Sequence, residues 1–82
     1  MEGGKIMKFY GIINDEEISL NQIVLNCNLE EIQKLIIFLQ IVKERHTFYL
    51  KDSDECHTHY KDWNKEWNRN IPDLVIVTID EK

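Results

Sequence analysis

The residues best suited to chemistry are gathered in one stretch, Asp52 to Trp63. It holds Cys56, two of the three histidines (His57 and His59), and the carboxylates of Asp52, Asp54, Glu55 and Asp62. Thiolate, imidazole and carboxylate are the donor types that zinc takes in tetrahedral sites. Cys56, His57, His59 and Asp62 are therefore a candidate metal set. Spacing decides which of them can meet. On a helix His57 and His59 stand about 200° apart and cannot chelate one ion, whereas on a strand they share a face. On a helix Cys56 and His59, or His59 and Asp62, lie one turn apart and could converge. His46 is the third imidazole that could approach in space. A second reading makes Cys56 a nucleophile activated by a neighbouring imidazole. That chemistry also needs an oxyanion hole and a shaped cleft. A short chain with three glycines has little material for either. A third reading groups His59, Asp62 and Glu66 as an acid–base cluster. The plain alternative to all three is a segment that caps and covers a helix, and it weighs most. No catalytic residue is assigned and no cofactor is expected.

Trp63 and Trp67 add a different possibility. Tryptophan is enriched both in cores and at binding hot spots. Packing on a long helix is the plain account of both. The rival account makes them an aromatic anchor ringed by Asp54, Glu55, Asp62 and Glu66, a combination suited to a basic protein surface. The acidic run Asp15-Glu16-Glu17 could add to that field, or simply keep a turn soluble.

The elements that must position these groups follow from periodicity. Lys5 to Ile13 alternates as a strand, with Gly11 marking a bulge or a close backbone approach. Asn14 to Glu17 is a polar turn. Ile18 to Cys27 reads as a second strand, interrupted at Asn21-Gln22, and the two strands pair as an antiparallel hairpin. Cys27 falls in the apolar pattern. Asn28 with Glu31 has capping-box spacing and opens a helix. Its apolar stripe is Ile32, Leu35, Ile36, Leu39 and Val42, widened by Ile37, Phe38 and Ile41. So wide a stripe is either covered on two sides or exposes a dimer contact. Thr47 to Leu50 could be a short extra strand or a continuation of the helix. Cys56, Tyr60, Trp63 and Trp67 recur at i, i+4, i+7 and i+11, which predicts a second helix from Asp52 that ends before Pro72. Leu74 to Ile79 is an uninterrupted apolar run and reads as a buried central strand. The expected fold is α+β. Two helices cover one face of a mainly antiparallel sheet of three or four strands, in the order β-β-α-α-β.

The chain has 82 residues. That is one domain's length, with 1–4 as a flexible start. Apolar residues make up 43% and charged residues 30%. This is a globular composition. The net charge of −5 disfavours general nucleic-acid binding. No run of about 18 apolar residues exists to span a membrane, and the first residues lack a secretory pattern. Two cysteines without an export signal predict free thiols in the cytoplasm.

The segment His57-Thr58-His59-Tyr60-Lys61-Asp62-Trp63, then Glu66-Trp67 and Ile71-Pro72-Asp73 ahead of the apolar run, resembles small bacterial proteins associated with polymorphic toxin systems, namely their immunity proteins. The resemblance covers about the last third of the chain and the strand-strand-helix start. It implies a non-enzymatic protein that binds and blocks a toxin, with His57, His59, Asp62, Trp63, Pro72 and Asp73 as its signature. Those residues could equally hold the second helix against the last strand. A basic toxin would meet an acidic chain favourably. The expected partner is thus another protein, with a homodimer as a further possibility.

Overall fold

The computed structural model describes residues 7–80. Its elements are β1 (Tyr10–Ile13), β2 (Glu16–Ser19), α1 (Leu29–Tyr49), β3 (Glu55–His59), α2 (Tyr60–Trp63) and β4 (Val75–Ile79). The class is α+β, but the order and sheet plan differ from expectation. Four strands form two separate two-stranded antiparallel sheets, β1 with β2 and β3 with β4.

The first hairpin is turned by Asn14 and Asp15, both left-handed, with φ of 52° and 68°. Two such residues make the turn whose twist matches paired strands, and Asn and Asp tolerate that conformation best after glycine. The turn is therefore two residues long, and Glu16 and Glu17 belong to β2. Gly11 pairs regularly with Ile18, so no bulge occurs there. The second strand ends at Ser19, and Ile23 to Cys27 lies outside regular structure despite its alternation. The expected start of the first strand at Lys5 and Ile6, and the start at 1–4, fall outside the described residues.

Helix α1 begins as its capping box requires. The Glu31 N–H donates to Asn28 Oδ1 at 2.8 Å, and the Asn28 N–H donates to Glu31 Oε1 at 3.0 Å. The helix runs through Thr47 to Tyr49, so no extra strand forms there. Its buried residues are Phe38, Val42 and His46, four apart. The core stripe is thus rotated from the expected one, and Ile32, Ile36 and Leu39 stay exposed. The reason is aromatic packing. Phe38, 0% exposed, meets the edge of Tyr60 at 5.0 Å and the tilted ring of Trp63 at 5.6 Å.

The expected helix from Asp52 is replaced by β3 and a single turn of α2. In β3 the residues alternate, with Cys56 and Thr58 half-buried on one side and Glu55 and His57 exposed on the other. β3 and β4 pair in register from Glu55↔Ile79 to His59↔Val75. β4 is not central: only one of its faces is covered, and it lies at the edge of a two-stranded sheet. No helix among the described residues is long and apolar enough to cross a membrane.

Candidate functional site

The second hairpin carries two polar clusters, one on each face. The inner cluster is centred on His46. This imidazole is 3% exposed and sits one turn beyond Val42 on the buried stripe. Its Nδ1 lies 2.7 Å from Thr78 Oγ1 and its Nε2 lies 2.8 Å from Thr58 Oγ1. A neutral ring offers one N–H and one acceptor nitrogen, and a hydroxyl can rotate to serve either. Both ring nitrogens are therefore satisfied by the two strands that α1 covers. Burial holds the His46 pKa below its ordinary value, and neighbouring His57 pushes the same way. The inner cluster is thus a structural clasp between α1, β3 and β4, built around an uncharged ring.

The outer cluster contains the histidine pair. Because β3 is a strand, His57 and His59 share a face, with ring centroids 5.3 Å apart. Asp73, just ahead of β4, accepts from His59 Nδ1 at 2.6 Å and from the Lys61 N–H at 2.9 Å. A carboxylate on Nδ1 fixes the tautomer and places the neutral ring's lone pair on Nε2. Asp73 therefore orients an imidazole and anchors the first turn of α2 together. This is a concrete structural role for His59 and Asp73. The arrangement presents the His59 Nε2 lone pair beside a second imidazole.

Strand alternation separates the rest of the candidate metal set. Cys56 faces α1 while His57 and His59 face away from it, and Asp62 is exposed on α2. Among the described residues no group of three or more His, Cys, Asp or Glu is placed to hold an ion. Burial, then the charge of Glu55, pushes the Cys56 thiol up. That is the opposite of what an activated nucleophile needs. A groove on the inner side of the second hairpin lies beside Leu39, His46 and Thr78, away from the histidine pair.

The candidate binding residues also separate. Asp54, Glu55 and Asp62 are exposed. Trp63 is half-buried against Phe38 and Tyr60. Trp67 is half-buried too: its Nε1–H points to the Pro72 carbonyl at 3.5 Å, and the Lys61 ammonium lies 6.0 Å from its ring centroid. Glu66 pairs with Lys34 of α1, which raises the lysine's pKa and lowers the glutamate's through their hydrogen bond. Trp63 and Glu66 thus join the 60–74 connection to α1, Trp67 packs within that connection, and Asp54, Glu55 and Asp62 are exposed.

Sequence reasoning missed the His46 clasp. The signal available was that His46 falls four residues after Val42 and eight after Phe38, on a helix face otherwise apolar. No protein-family model, curated protein or solved structure matches the chain.

Proposed function

We propose that this chain is a non-enzymatic module that binds another protein, and specifically an immunity protein that neutralises a basic toxin. One observation carries the reading: the N-terminal hairpin presents an apolar face that nothing among the described residues covers. Phe9, Ile13, Ile18 and Leu20 fall on one side of it by register, with Glu16 opposite Ile13 at the turn end, and all four apolar residues are exposed. A lone two-stranded hairpin is marginally stable in water, so an uncovered apolar face on one marks a contact surface. Asp15, Glu16 and Glu17 stand at and beside its turn. Apolar area supplies affinity, and the acidic tip steers a basic partner and discriminates against acidic ones. The exposed Asp54, Glu55 and Asp62 add to the same negative field. The resemblance of the His57–Trp67 and Pro72-Asp73 segments to immunity proteins supports the toxin as the kind of partner.

Growth rescue tests this. A toxin encoded beside the gene is induced in cells with and without the chain. Rescue by the wild type, lost in the folded Ile13→Asp/Ile18→Asp variant, is the expected result. Full rescue by that variant removes the hairpin as the contact, and absence of rescue by the wild type removes the toxin.

A further inference from the structure

The free edge of β4 differs from those of β2 and β3, each of which carries glutamate. The hydrogen bonds Tyr60 N–H to Leu74 O and Asp80 N–H to Asp54 O, both 2.8 Å, bracket the β3–β4 ladder. By antiparallel alternation the even-numbered residues of β4 bond to β3. The backbone groups of Val75, Val77 and Ile79 therefore point away from β3, toward an edge that no strand among the described residues occupies. Open edges are ordinarily guarded by charge, proline or a bulge. This one carries none from Leu74 to Ile79, and the side chains of Val75, Val77 and Ile79 are 41%, 45% and 57% exposed.

We infer that a second copy of this chain pairs antiparallel with β4, across a two-fold axis at Val77, to give the four-stranded sheet β3-β4-β4-β3. Two observations select a second copy as the occupant. The first is self-complementarity. Centring the pairing on Val77 sets Val75 opposite Ile79, Ile76 opposite Thr78 and Leu74 opposite Asp80, with no like charges facing each other. β-Branched residues opposite one another are favourable cross-strand partners. A basic partner would find no carboxylate between Leu74 and Ile79 to recognise.

The second is fit. The groove between α1 and β4, about 290 Å³ and lined by Leu39, Val42, His46 and Thr78, opens beside this edge. In the paired register the second copy's Ile76 becomes the neighbour of Thr78 on the groove's floor. The two-fold axis places both α1 helices on one face of the sheet. Because α1 spans β3 and β4 through His46, the two helices would stand about two strand spacings apart, roughly 10 Å, which is the distance of packed helices.

Sedimentation equilibrium at tens of micromolar protein tests the pairing. The expected mass is twice the chain's 9.9 kDa. Val77→Lys sets two ammonium groups against each other at the axis and should yield monomer with an unchanged circular dichroism spectrum. Register is tested by two double variants that keep both new side chains on the exposed face. Val75→Lys/Ile79→Glu sets opposite charges across the dimer and should remain dimeric, while Val75→Lys/Ile79→Lys sets like charges there and should dissociate at least about tenfold more readily. A wild-type mass of 9.9 kDa overturns the inference and leaves the hairpin proposal standing. Equal dimerisation by the two double variants, or its loss in both, overturns the β4 edge.

Discussion

The molecule contains two antiparallel hairpins that fold by opposite means. The N-terminal one is local: four-residue strands joined by Asn14-Asp15, with a cross-strand approach of Lys8 to Glu17 at 3.7 Å. The C-terminal one closes over the connection 60–74 and is held from one side by α1 through Phe38, Val42 and His46. Forming it costs more chain entropy, since its partners are far apart in sequence. It recovers this through burial, the aromatic group of Phe38, Tyr60 and Trp63, and the clasp on two threonines. Turn chemistry alone is enough to shape a hairpin. Fixing one firmly takes a covered face, and among the described residues only the second hairpin has one.

The sharpest way to break the contrast is Phe38→Ala. It empties the only fully buried large side chain among the described residues. The expected loss is about 3–5 kcal/mol, most of the stability of a small domain. Urea denaturation followed by tryptophan emission reads it, since Trp63 lies against Phe38. Amide exchange in β1 and β2 should hardly change. Equal deprotection of both hairpins would show that they fold as one unit.

A smaller effect is expected from pH, and it acts on the second hairpin alone. The folded state holds His46 below its ordinary value of 6.5. The unfolded chain therefore takes up the proton more readily. The stability from this group is complete above about 6.5. It falls as the pH drops through that value, and the decline stops once the folded ring is also protonated. His57 lies near enough to add to the penalty. Chemical denaturation between pH 5 and 8 should show the decline, and His46→Leu, though less stable, should remove that component. A wild-type curve flat across the interval would mean that the clasp accommodates imidazolium.

What can be read from the sequence follows the same division. Asn28 with Glu31 announces the start of α1, and the polar break after Ile13 announces the first turn, because both signals are local. β3 is concealed by its own function. Its inner positions are Cys56 and Thr58, and Thr58 serves an imidazole, so the strand lacks an apolar period of two. Meanwhile Tyr60 and Trp63, which pack on Phe38 from one turn of α2, lend the segment a helical spacing. The register of α1 is hidden for a related reason. A helix apolar on so many sides does not declare which stripe is covered, and aromatics far along the chain make the choice. Of the candidate site, the pairing of His57 with His59 depends on the segment being a strand, which the spacing alone does not decide. The bond of Asp73 to His59 spans 14 residues, and no short-range spacing encodes it.

The smallest expected effect lies in the first hairpin's turn. Asp15 has φ of 68°. L-residues adopt that conformation at a cost and glycine adopts it freely. Asn-Gly is the preferred pair for this turn. Asp15→Gly should therefore favour the turn by about 0.5–1 kcal/mol, partly offset by the greater freedom of glycine in the unfolded chain. If the two hairpins are as separate as their contacts indicate, that gain stays local. Exchange of the β1 and β2 amides should slow several-fold, while the urea midpoint read by Trp63 should stay where it is. A midpoint that rises with the turn would mean that the N-terminal hairpin is coupled to the core after all. Its apolar face would then have to find its cover within the same chain, because a surface that stabilises the fold from inside is not free to bind a toxin.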